Sequence, residues 1–125
     1  MKNPTLNNIG LLLLRLGFGG IMLTHGIPKL LMLISGDFNF GDPIGIGAPA
    51  SLVLAVMAEV VFPILVIIGF KTRLAAIPVI LTMIIAGFIV HANDPFGVKE
   101  KAFLFLIGFL SIALLGPGKY SIDKE

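Results

Sequence analysis

Cysteine and tryptophan are absent from this chain, tyrosine occurs once, and charge is scarce. Without a thiol, the chain itself supplies no disulfide, no thiol redox couple, no palmitoylation site and no cysteine ligand for an iron–sulfur cluster. Charged residues make up 13% of the sequence, against roughly a quarter in a soluble domain. The net charge of +2 is too small for a nucleic-acid-binding surface, and no nucleic-acid partner is expected. No phosphate-binding glycine loop occurs. Gly17-Phe18-Gly19-Gly20 falls in the middle of an apolar run and reads as a surface for close helix packing.

What is present is apolar. Of 125 residues, 57% are hydrophobic, and the mean hydropathy is +1.05. A domain this small leaves much of its surface exposed, so the medium outside the fold is expected to be lipid. The 15 glycines fit helices that approach closely within a bilayer. An isoelectric point near 9.2 fits a few basic residues at an anionic membrane face.

Four apolar stretches predict an all-α, integral membrane four-helix bundle, with helices over about 9–34, 50–69, 74–92 and 100–116 in a single transmembrane domain spanning 1–125. Crossing the hydrocarbon core takes roughly 20 residues. The last stretch is short unless the Glu100–Lys101 turn belongs to it. The breaks are dense in turn formers: Ser35 to Pro49, the Gly69-Phe70-Lys71-Thr72-Arg73 turn, Asn93 to Gly97, and Gly116-Pro117-Gly118. The N-terminal stretch is too long for a signal-peptide core and is interrupted by Arg15, so it reads as a retained first helix. With both termini in the cytoplasm, the antiparallel bundle places Lys2, Lys71, Arg73, Lys119 and Lys124 inside and Lys29, Lys99 and Lys101 outside, as the positive-inside rule asks.

Polar residues inside these stretches are the candidate functional groups. An ionisable side chain at the centre of a transmembrane helix costs about 2.5–3.5 kcal/mol on insertion scales. Arg15, His25 and Glu59 fall in that region, whereas Lys29, His91 and Lys101 lie nearer helix ends and can snorkel. At about 100° per residue, Arg15, His25, Gly26 and Lys29 share one face of the first helix. Counting residues places His25 about 13 Å and Glu59 about 12 Å below the outer surface. Glu59 thus has two expected partners, Arg15 as an ion pair or His25 as a hydrogen bond. The plain interpretation of Arg15 and Glu59 is a neutralised pair that fixes helix register. The functional one is a carboxylate that takes up or delivers a proton. His25 is either a satisfied interior histidine or a group that exchanges protons or bonds a quinone carbonyl. His91, beside Asn93 and Asp94, reads as an interfacial cap. No haem and no metal are expected, because His25 and His91 lie about 12 Å apart in depth and no ligand cluster has metal-binding spacing.

Three segments carry a family resemblance: Leu13-Leu14-Arg15-Leu16-Gly17-Phe18-Gly19-Gly20 running to Thr24-His25-Gly26-Ile27-Pro28-Lys29; Met57-Ala58-Glu59 running to Gly69 and Lys71-Thr72-Arg73; and Gly116-Pro117-Gly118-Lys119-Tyr120-Ser121-Ile122-Asp123. Together they resemble the DoxX family of small bacterial membrane proteins. The resemblance implies a multi-pass bundle in the bacterial inner (plasma) membrane. The wider family includes a subunit associated with a quinone oxidoreductase, and other relatives are linked to redox stress and sulfur handling. Carried over by position, the family's intramembrane polar set falls on Arg15, His25, Lys29 and Glu59.

The expected function is a redox-linked, quinone-interacting membrane subunit, part of an oxidoreductase complex. His25 and Glu59 would be catalytic, and Arg15, His25, Lys29 and Glu59 would hold a non-covalent quinone edged by Phe18, Met22, Phe62 or Phe105. Besides the lipid bilayer, a homodimer or a membrane or soluble redox partner is expected. The alternatives are a non-catalytic scaffold or assembly subunit, docking partners through the loop from Asp37 to Pro49, and a small carrier using the level of Arg15 and Glu59.

Overall fold

The computed structural model describes residues 3–124, and among these every regular element is helical. Helix α1 spans Pro4–Ser35. Asn3 starts it: its side chain accepts the Leu6 N–H at 3.2 Å, and Pro4 occupies a first-turn position where no N–H is needed. Gly36 ends it in the left-handed region at φ 75°. Helix α2 spans Ala48–Ile68, α3 Thr72–Val90 and α4 Phe96–Leu115. Helix α1 packs on α2 and α4, and α3 packs on α2 and α4, so the four close into a ring.

The outward surface is greasy. Leu13, Leu31, Leu81, Leu104, Ile107 and Leu114 are among many large apolar side chains exposed on all four helices. Helices α1, α2 and α3 are each long and apolar enough to cross a membrane. Helix α4 is 20 residues long and includes Lys99, Glu100 and Lys101 near its start. It begins earlier than the expected residue 100, so the charged turn does belong to it.

Two interior clusters hold the bundle. The larger joins all four helices through Met22, Val66, Val79, Met83, Phe105 and Phe109. Phe18 meets the Phe105 and Phe109 rings edge-on at 6.4 and 6.3 Å. Gly108 makes room for it, since a Cβ there would lie 2.3 Å from the Phe18 ring. The smaller cluster, built on Leu52, Val56 and Val60, packs against Leu23, Leu30 and Phe40.

Helix α1 presents a buried stripe of Arg15, Gly19, Met22 and Gly26. The spacing of four, three and four residues keeps these positions on one face. Gly26 matters most. A Cβ there would lie 2.3 Å from the Glu59 carbonyl oxygen, so only glycine lets α1 approach α2 this closely.

Both middle helices contain one widened turn. In α2 it covers Met57–Val61, and the Phe62 N–H reaches back five residues to the Met57 carbonyl. Pro63 follows and has no N–H to give Glu59, four residues earlier. In α3 the widened turn covers Ala86–Val90, and the His91 N–H donates to the Ala86 carbonyl at 3.0 Å. Such π-turns recur at functional sites.

Candidate functional site

Glu59 sits in the widened turn of α2, with its side chain 5% exposed. Both its carboxylate oxygens accept from Lys29, Nζ lying 2.6 Å from Oε1 and 2.7 Å from Oε2. Lys29 is three residues beyond Gly26, so the close contact at Gly26 brings it level with the carboxylate. The pair lies between α1 and α2 and is less exposed on the glutamate side than on the lysine side.

The expected ion pair between Arg15 and Glu59 does not form. Arg15 is buried at the other end of the bundle, where, among the described residues, all its hydrogen bonds go to backbone carbonyls. Nη1 donates to Ile67 at 2.7 Å and Val66 at 3.4 Å, Nε donates to Pro117 at 3.0 Å, and Nη2 donates to Tyr120. The physical reason is the end of α2. Its last carbonyls have no helical N–H partners, and they carry the negative end of the helix dipole. A planar guanidinium with five donors suits that cluster better than a single carboxylate does.

His25 makes no hydrogen bond among the described residues. It meets the Phe105 ring edge-on at 5.5 Å, and it is half-buried at the wall of a cavity. His91 ends α3, and its Nδ1 lies 2.8 Å from Asp94 Oδ2. This agrees with a capping position, but His91 also faces the interior space.

Two cavities meet at this level. The first, about 200 Å³, is polar: His25, Lys29, Glu59, His91 and Lys101 line it, with Phe105 at one side. The second, about 440 Å³, is largely apolar and lies between α2 and α3, with Leu54, Phe62, Leu81 and Ile85 on its walls. Phe40, Pro43 and Ile44, from the segment between α1 and α2, border it as well. Lys29, Glu59, Ala86 and His91 line both cavities, so the ion pair forms part of the wall between them. The two widened turns contribute Glu59 and Ala86 to that wall.

Of the four residues expected to form one polar set, the structure brings together His25, Lys29 and Glu59 and separates Arg15. It adds His91 and Lys101, whose positions near helix ends favoured interfacial roles in the sequence. Of the aromatic and methionine residues expected to edge a ligand, Met22 and Phe105 line the polar cavity and Phe62 the apolar one, whereas Phe18 lines neither. Among the described residues, no group of three or more His, Asp or Glu is placed to hold a metal ion.

Asp42 ties the second half of the segment joining α1 to α2. Asp42 Oδ1 accepts from the Ile46 N–H and the Ser51 hydroxyl, and Oδ2 accepts from the Gly47 N–H, each at 2.9 Å. These bonds, the one from Gly47 foremost, hold the Asp42 carboxyl below its ordinary value. At the opposite end, Asp123 caps α3 from the tail. Its Oδ1 accepts the Lys71 N–H at 2.8 Å, and Oδ2 accepts the N–H and hydroxyl of Thr72 at 2.9 Å. Partial burial opposes ionisation of Asp123. The bonds from Thr72 and Lys71, with the charge of Arg15, outweigh it and lower the pKa.

An apolar exterior, three spans of membrane length and an interior layer of paired charge define a multi-pass helical membrane protein. The chain belongs to the DoxX family, whose family model matches residues 10–92. It is 28% identical over 123 residues to the "Inner membrane protein YqjF" of Escherichia coli (strain K12), covering 95% of this chain and 93% of that one. It is 33% identical over 116 residues to the "Putative oxidoreductase CatD" of Bacillus subtilis (strain 168), covering 92% and 85%. A third relative, the "Uncharacterized membrane protein Rv3486" of Mycobacterium tuberculosis (strain ATCC 25618 / H37Rv), is 27% identical over 135 residues, covering 90% and 78%. No solved structure matches the chain.

Proposed function

We propose that this chain is a quinone-interacting, redox-linked subunit of a bacterial inner membrane, with both termini in the cytoplasm. The observation that carries the reading is the apolar cavity between α2 and α3, with the Lys29–Glu59 pair and His91 on its wall. Its volume of about 440 Å³ falls within the roughly 300–1,000 Å³ typical of small-molecule sites. Apolar walls with a few polar groups suit an apolar ring that carries two carbonyl oxygens. Lys29, or His91 through Nε2 when protonated, would donate to a carbonyl, and Glu59 would exchange the proton that accompanies electron transfer. His25, on the polar side of the pair, would carry that proton onward. Electrons would come from a partner protein. The name of the Bacillus relative supports a redox role, and that of the Escherichia relative supports the location.

The test is direct binding. Purified protein in detergent, titrated with short-chain ubiquinone or menaquinone analogues, should show saturable thermal stabilisation. Ala58→Phe, which fills the apolar cavity, should abolish it. No stabilisation by either quinone class would overturn the reading.

A second reading, a scaffold or assembly subunit, draws on a different observation. Lys29 already satisfies both oxygens of Glu59, as a pair that only fixes register would require. Under it, His25→Ala leaves the activity of the assembled complex intact. Under the quinone reading, that variant slows turnover without lowering the folded yield.

A further inference from the structure

The polar cavity is too small for the ligand proposed for its neighbour, and its lining has the wrong chemistry for an apolar ring. Lys29 and Lys101 contribute two ammonium groups and Glu59 one carboxylate, while His25 and His91 add two imidazoles. Among the described residues, Glu59 is matched by Lys29 alone. Among the described residues, Lys101 has no hydrogen bond or ion pair, although it lies close enough to act electrostatically on His25. The remaining groups on the cavity wall are apolar or aromatic, from Met22, Met83, Ala102 and Phe105. A formal charge of one excess cation therefore faces a partly enclosed space in a membrane protein. Lys101 lines this space and is itself exposed, so its uncompensated charge is open to an anion that enters from outside.

We propose that this cavity binds a phosphate-type oxyanion, either a free ion or the headgroup of a lipid. A tetrahedral oxyanion accepts hydrogen bonds from several directions. The cavity offers donors on three helices: Lys29 and His25 on α1, His91 at the end of α3, and Lys101 on α4. Lys29 gives two of its three N–H groups to Glu59, leaving one for the anion. Lys101 supplies the uncompensated charge. His25 can donate a ring N–H while neutral, whereas His91, whose Nδ1 N–H goes to Asp94, donates through Nε2 when protonated. The volume of about 200 Å³ admits a small anion and falls below the roughly 300 Å³ of a drug-sized site. The proposal does not depend on a quinone in the adjoining cavity. It assigns the polar side of the same wall a ligand of opposite character.

The experiment uses the full chain with no quinone present. In a non-ionic detergent, sodium phosphate is exchanged for sodium chloride at constant ionic strength and the melting midpoint is followed. A free-ion site gives a saturable rise on the order of 5 °C, which Lys101→Met removes and Lys119→Met, outside the cavity, retains. In a second arm, protein in phosphatidylcholine nanodiscs receives a minor fraction of phosphatidylglycerol. A headgroup site gives the rise here and not with free phosphate, again lost in Lys101→Met. Lys101→Arg, which keeps the charge, should preserve either response. The proposal fails if neither arm shows a rise, or if the rise survives Lys101→Met. Because neither arm contains quinone, its failure leaves the quinone reading standing, and failure of the quinone titration leaves this one standing.

Discussion

Lys29 reaches across from α1 to α2 and holds both carboxylate oxygens of Glu59, at 2.6 and 2.7 Å. The two ends of this bridge are unequal, with the Glu59 side chain 5% exposed and the Lys29 side chain 30% exposed. Removing the lysine strands a buried carboxylate. Removing the carboxylate leaves an ammonium that can lean toward the interface. Lys29→Met should therefore destabilise by about 3–5 kcal/mol and Glu59→Gln by less, and the double variant should recover much of the loss. Thermal melts of the four proteins in one detergent, read as a double-mutant cycle, check the order. Additive losses in the double variant would show that the two residues are not coupled.

The approach of α1 to α2 rests on Gly26. Gly26→Ala sets a Cβ against the Glu59 carbonyl, where no flexible side chain can give way. It should cost about 1–3 kcal/mol by overpacking and also weaken any ligand held near Glu59. Gly20→Ala is the control. Nothing lies within 4 Å of a Cβ at that position, and alanine favours the helix by about 1 kcal/mol. Melting midpoints that fall for both variants alike would contradict this account of Gly26.

Arg15 ties α2 to the tail through carbonyls on both. Arg15→Lys keeps the charge but loses the planar fork, so it should behave more like Arg15→Met than like wild type. Limited proteolysis offers the readout. The tail beyond Leu115 should become cleavable in both variants, and protection equal to wild type in Arg15→Lys would refute the carbonyl-clamp interpretation.

Asp123 gives a pH prediction. Its folded-state pKa is lowered, so its contribution to stability is complete above the ordinary aspartate value of about 3.9. That contribution is lost as pH falls through the depressed folded value. Asp123→Ala should cost about 1 kcal/mol near neutral pH, as loss of a helix cap does. The gap between variant and wild type should then close at acid pH. A gap that stays constant as pH falls would mean that the carboxylate charge plays no part.

Much of this could be read from the residues. Four apolar stretches separated by Gly, Pro, Asp and Asn gave the helices, and depth counting put His25 and Glu59 at one level, as the contact between Gly26 and Glu59 bears out. The partner of Glu59 was harder. Arg15, His25 and Lys29 share a face, and only the approach at Gly26 selects the lysine. Arg15 was misjudged because its partners are main-chain carbonyls, which residue identity does not reveal. The one available signal was the predicted helix end at Gly69, where unpaired carbonyls must accumulate. Pro63, four residues after Glu59 and without an N–H to give it, is a signal from which the widened turn in α2 could have been read. No comparable signal marked the one in α3.

The guanidinium of Arg15 also sets an order of events. Arg15 lies in α1, while the carbonyls of Pro117 and Tyr120 that it binds follow α4 and are made 102 and 105 residues later. Until those residues are made, therefore, a charged side chain destined for the interior has an incomplete set of acceptors. Water, lipid phosphates or the insertion machinery must shelter it until then. Synthesis of the segment after α4 thus completes the set of acceptors around Arg15, and α1 reaches its final surroundings only once that segment has been made.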